Sequence, residues 1–143
     1  MRNRNLIQIG MMEVRLLVDE DQSAGSMVMF EFVVPYQSRV PAAHYHEDVD
    51  EVIFGLSGTM TTTVDGERCE VRAGDTVFIP RGTVHTHENL HQETARALIT
   101  MTPGLIGRRF FEEIASAINV IGKPDIEHVK EIMLLYGLVA APR

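Results

Sequence analysis

Disulfide potential, membrane-length apolar runs and basic charge are all scarce in this sequence, and each shortage removes a class of protein. The single cysteine, Cys69, cannot form an intrachain disulfide. It agrees with a reducing compartment, and its ordinary reading is a small strand residue. The formal charge of −7 opposes nucleic-acid binding, which calls for a basic face. Gln8 and Glu13 break the apolar stretch Leu6–Val18 too early for a secretory leader, despite Arg2 and Arg4 upstream. No run approaches the ~20 apolar residues of a membrane span. A soluble, cytoplasmic protein is expected, with neither nucleic acid nor membrane as partner. There is no internal repeat either, and 143 residues suit one domain. Such a domain buries ~68–70% of its unfolded surface and needs no staples.

What is present is a series of short β-type segments divided by turn residues. Leu6–Val18 reads as one or two strands around Gly10, and residues 1–5 are expected to be loose or paired with a neighbouring subunit. Asp19–Gly25 reads as a solvated polar loop. Ser26–Val34 is β-rich and stops at Pro35, which cannot extend a central strand. Further strands are expected around His44–His46, Glu51–Leu56, Thr59–Val64, Glu67–Arg72, Thr76–Ile79, Val84–Glu88 and Thr94–Thr102. Asp65-Gly66 is a strong two-residue hairpin signal. This spacing indicates an all-β sandwich or barrel and does not suit βαβ units. After Pro103-Gly104 the period becomes helical, with Ile106, Phe110, Phe111, Ile114 and Ile118 on one stripe and Gly122 as a stop. Pro124-Asp125 opens a second helix with Ile126, Val129, Met133 and Tyr136 on one side, ended by Gly137.

The candidate site begins at His44-Tyr45-His46. Two residues apart on a strand, the imidazoles leave the same face with Cβ atoms ~6.6 Å apart, close enough to converge on one cation. Glu51 lies an odd number of residues after His46, so an unbroken strand would turn it away. A turn or bulge at Glu47-Asp48 could bring Glu51, Ile53 and Gly55 inward on the next strand. Two nitrogens and one oxygen suit a divalent transition metal.

A second pattern, Gly74-x5-Pro80-x-Gly82-x2-His85-x3-Asn89, joins His44-x-His46-x4-Glu51-x6-Gly58. Together they resemble the two motifs of the cupin superfamily over about residues 26–102, with Ser38 where the first motif often has glycine. The ending Pro103-Gly104…Phe110-Phe111-Glu112-Glu113 is similar to the tail of small quercetin-dioxygenase-like cupins. The resemblance implies a single-domain jelly-roll β-barrel of six to eight strands with two C-terminal α-helices. Residues 1–25 would be N-terminal strands that a homodimer could exchange; 26–102 the barrel; 103–143 a helical extension. It implies one divalent transition ion per chain (Fe, Mn, Ni, Co, Cu or Zn) held by His44, His46, Glu51 and His85.

Each histidine should also hold a partner on its other nitrogen. His87 faces the same way as His85 and could contact substrate or support the metal, or sit at the rim. His91 and His128 read as surface residues. Met27, Met29, Met60 and Met101 could line an apolar pocket or fill the core. The leading functional expectation is a dioxygenase-like oxidoreductase acting on a small oxygenated organic molecule, with Glu51 as ligand or catalytic base. The rivals are a non-redox isomerase, decarboxylase or lyase, and a non-enzymatic binding or storage protein.

Overall fold

A computed structural model describes residues 5–142; of the expectation for residues 1–5, all but Asn5 lies outside them. The chain opens with a hairpin, β1 (Leu6–Ile9) and β2 (Met12–Val18), followed by β3 (Val28–Val34). Then come β4 (His44–His46), β5 (Asp50–Ser57), β6 (Met60–Val64), β7 (Glu67–Val71), β8 (Thr76–Ile79), β9 (His85–Glu88) and β10 (Ala95–Thr102). Helices α1 (Arg108–Ile118) and α2 (Ile126–Leu135) precede a last strand, β11 (Leu138–Ala140). No helix among the described residues is long and apolar enough to cross a membrane.

The strands form two antiparallel sheets, ordered β1-β2-β3-β10-β5-β8 and β11-β4-β9-β6-β7. This is a jelly roll in two layers without strict closure, and residues 26–102 contribute eight of its strands, β3 to β10, within the expected six to eight. Period-two burial decides which side chains meet between the layers. Val28, Phe30, Phe32 and Val34 of β3 point inward, as do Ala95, Ala97, Ile99 and Met101 of β10. On β5 the inward row is Glu51, Ile53 and Gly55, paired across to Met101, Ile99 and Ala97. Gly55 is required for close approach, because a Cβ there would lie 2.0 Å from the Arg72 carbonyl oxygen. The β6–β7 turn is the expected one: Asp65 and Gly66 both take positive φ, 50° and 82°, which matches the twist of the flanking strands.

Two segments differ from the sequence reading. Asp19–Gly25 is not merely solvated. The Glu20 carboxylate accepts hydrogen bonds from the backbone N–H of Arg108 (2.9 Å) and Arg109 (3.3 Å). It thus satisfies the open donors of α1, which has no capping side chain of its own. Beyond Gly137 the chain is not helical. Leu138–Ala140 pairs with His46–His44 and gives β4 an outer neighbour. Only one residue of that strand, Leu138, is buried, so its pattern carries too little periodicity to announce it. α2 begins where its sequence says, with the Asp125 carboxylate accepting from the N–H groups of Glu127 (3.1 Å) and His128 (3.3 Å).

Candidate metal centre

The five-stranded sheet supplies all the buried histidines. His44 and His46 leave the inner face of β4, and His85 and His87 that of β9. His44 sits directly opposite His85 in the ladder. Ring centroids are 5.2 Å apart for His44–His46, 4.7 Å for His44–His85 and 4.8 Å for His46–His85. Glu51 comes from the six-stranded sheet and faces them across the interior. The turn after His46 therefore does more than reset the alternation within one sheet, because it carries the chain from one layer to the other. Arg81 closes over this crossing, its backbone N–H and guanidinium meeting the Asp50 carboxylate at 2.9 and 3.2 Å.

Ring nitrogens of His44, His46 and His85 lie within 4.8 Å of one another, and Glu51, His85 and His87 form a second such group. Glu51 Oε1 is 3.8 Å from His46 Nε2 and 3.6 Å from His85 Nε2. Two rings are fixed from behind: His44 Nδ1 donates to the Ala42 carbonyl (2.8 Å) and His85 Nδ1 to the Thr83 carbonyl (2.9 Å). A carbonyl can only accept, so in the neutral rings Nε2 carries the lone pair. His46 Nε2 and His85 Nε2 are buried and have no hydrogen-bond partner. A buried ring nitrogen without a partner is costly, and a cation would satisfy both at once. The donor set therefore fits a divalent transition ion.

Electrostatics prepare the same arrangement. Burial, reinforced by His85, pushes His44 down to about 3. Burial also lowers His46 to about 4, against the pull of Glu51. Both are neutral, as ligands must be. For Glu51, burial favours the acid, yet His85 and His87 outweigh it and hold the carboxyl well below its ordinary range. At 3.6 Å His85 acts on Glu51 as a nearby charge rather than through a bond. Burial likewise opposes protonation of His85, and Glu51 reverses it, leaving His85 raised.

His87, left open between site and rim by the sequence, is inside. Its Nε2 donates to Glu51 Oε2 (3.0 Å), and Nδ1 meets the Thr62 hydroxyl at 3.1 Å. Thr62 pairs with His87 in the ladder and is fully buried. The alternation His85-x-His87 carried this signal; the partner Thr62 was legible only once β6 lay beside β9. Asn89 is also fully buried, donating to the carbonyls of Val34 and Glu93 at 2.8 Å each. It ties β9 to the turn before β10. His91 and His128 lie outside the centre, beside Glu70 and Glu131.

Next to the histidines lies a cavity of about 90 Å³. His44, His46, Glu51 and His87 form its polar end, and Phe30, Ile99, Phe111 and Ile114 are among its apolar walls. Of the four methionines suggested by sequence only Met101 lines it, joined by Met12 and Met133. Met60 is buried elsewhere in the core.

The chain is similar in sequence and in fold to known proteins. The chain is 28% identical over 91 residues to quercetin 2,3-dioxygenase of Bacillus subtilis, covering 64% of this chain and 26% of that one. It is 34% identical over 73 residues to an uncharacterized protein of Methanocaldococcus jannaschii, covering 51% and 58%. It thus spans about a quarter of the first relative's length and little more than half of the second's. A solved structure of a predicted oxalate decarboxylase from Thermotoga maritima superposes with TM-score 0.61 at 22% identity, over 64% of this chain and 80% of that one. A sugar phosphate isomerase from Silicibacter pomeroyi gives TM-score 0.56 at 19% identity, over 64% and 59%. At such identities the two structures speak for the fold alone. Residues 30–101 match the family model described as Cupin domain, and with half its length matched the chain belongs to the cupin family.

Proposed function

We propose that this cupin is a metal-dependent oxidoreductase of the dioxygenase type acting on a small oxygenated organic molecule. His44, His46, His85 and Glu51 would hold one divalent transition ion per chain, Fe, Mn, Ni, Co, Cu or Zn, with zinc compatible only with the non-redox rivals. The observation that carries the reading is the pairing of two buried, unpartnered Nε2 atoms with a neighbouring cavity whose remaining walls are apolar. The similarity to a quercetin 2,3-dioxygenase supports it.

When bound, the ion supplies Lewis acidity and a template for an oxygen-bearing substrate and dioxygen. The chain's residues do the rest. The carbonyls of Ala42 and Thr83 hold the rings of His44 and His85 in one tautomer. Glu51, ionised and oriented by His87, can take the proton of an enol or phenol as the substrate binds. The apolar walls exclude water from the reacting end. Both atoms of one dioxygen would enter the product, so no external reductant is required, and the proton held by Glu51 returns to the product. The isomerase, decarboxylase and lyase readings need groups that bind hydroxyls or carboxylates, and the cavity walls supply none beyond the centre itself.

Elemental analysis followed by oxygen uptake tests the proposal. Protein purified without chelators or a nickel column should carry about one transition metal per chain. It should consume dioxygen with at least one member of a panel of flavonols, catechols and β-diketones, with label from ¹⁸O₂ in the product. Silence of the metal-loaded protein across that panel favours the non-redox or binding readings instead.

Association into a homodimer belongs to the same proposal. The row Val52, Phe54, Leu56 and Phe78, each at least 40% exposed on the outer face of β5 and β8, supports it. Light scattering should give twice the 16.0 kDa chain mass.

A further inference from the structure

Apart from His44, His46, Glu51 and His87, every side chain of the described residues that lines the cavity is hydrocarbon or thioether. We infer that the site selects a small, uncharged, largely hydrocarbon molecule whose oxygen atoms are confined to one end. The inference rests on the metal-centre reading above for the orientation of that end, and on the walls alone for the rest.

Three features lead to it. Among the described residues, no lysine, arginine, serine, threonine, asparagine or glutamine lines the cavity. A phosphate, a dicarboxylate or a polyol placed there would lose its water and gain no partner beyond the centre. The cavity is small, about 90 Å³, so a three-ring flavonol exceeds it. Polarity is also one-sided: the oxygen-bearing end would face the histidines and Glu51, while the remainder packs among Phe30, Ile99 and Phe111.

Much of the selecting wall lies outside the segment that defines the family. Met12 comes from β2, Phe111 and Ile114 from α1, Met133 from α2 and Leu138 from β11, whereas the family match covers residues 30–101. The chain's own N-terminal hairpin and C-terminal elements thus set the substrate class, while the shared core sets the centre.

Methionine-methyl NMR of the zinc-loaded protein reads this directly, because Met12, Met101 and Met133 line the cavity and Met11 is 72% exposed outside it. Pentane-2,4-dione should shift the first three signals saturably and leave Met11 still. Oxalate, glucose 6-phosphate and quercetin at the same concentration should shift none of the three. Ile114→Phe should weaken binding of the dione at least tenfold while zinc content by elemental analysis stays at one per chain. Met133→Phe provides the same narrowing from the other helix should the first variant not fold. Movement of the three methyls by oxalate, glucose 6-phosphate or quercetin at lower concentration than by the dione overturns the inference, as does silence with the dione. Should the chain take up no zinc while the dione still moves those methyls, the metal reading fails and the selectivity stands.

Discussion

The two sheets face one interior but divide the work. The inner face of the six-stranded sheet is almost wholly apolar, running from Val14 through Phe30, Phe32 and Ile99 to Ile53, with Glu51 as its buried acid. The inner face of the five-stranded sheet carries His44, His46, His85, His87 and Thr62 beside the apolar Met60, Val71 and Leu138. Hydrocarbon burial stabilises without direction, whereas a polar cluster specifies geometry and is costly unless every member finds a partner. Separating them lets one wall hold the fold while the other holds the donors. Glu51 is the point where the walls exchange character, and it is matched on the other side by His87.

The sharpest way to break that division is to remove a donor. His46→Ala and His85→Ala should each take metal content from about one per chain to near zero by elemental analysis. Unchanged content in both would mean the centre is drawn wrongly. On the opposite wall, Ile99→Ala should cost about 2–5 kcal/mol in a denaturant titration yet leave metal content intact, because the loss is of packing and not of ligands.

His87 lies on the donor wall but touches the other wall's acid. His87→Leu should weaken metal affinity by roughly 10–100-fold in a chelator competition, with His87→Gln recovering much of it through an amide donor to Glu51. A variant indistinguishable from wild type in both cases would leave His87 a mere filler.

The metal-free protein should also lose stability as the pH falls. Unfolded, His44 and His46 take up protons near the ordinary 6.5; folded, they stay neutral until about 3 and 4. The unfolded chain thus binds more protons across that window, so stability is present above about 6.5 and drains as pH drops toward 4. Glu51, lowered when folded, adds a loss in the same direction below its unfolded value of 4.5. His85, raised by Glu51, acts oppositely: its contribution is present below 6.5 and lost as pH rises through its folded value. Melting temperature against pH should show the net fall, and His44→Gln should flatten it. The smallest effect belongs to the rim. Asp125→Ala removes the cap of α2 and should cost about 1 kcal/mol, with no change at the centre.

Strand placement was legible where strands alternate with a period of two, as β5 and β10 do, and where turn residues with restricted φ angles bound them, as at Asp65-Gly66. The helices announced themselves through their apolar stripes and through Asp125. β11 did not, since three residues with one buried side chain hold no readable period. Glu20 as the cap of α1 did not either, because its partners lie 88 and 89 residues away.

By itself the sequence determined what is local: the strand alternation that puts His44 with His46 and His85 with His87, the turns, and the two patterned motifs. Only the tertiary structure decided that Glu51 meets the histidines from the opposite sheet, that Thr62 and His87 steady it, and that hydrocarbon from both ends of the chain walls a cavity of about 90 Å³. Periodicity fixes which face a side chain leaves. Which faces meet depends on how the sheets stack, and that is settled by burial summed over the whole chain.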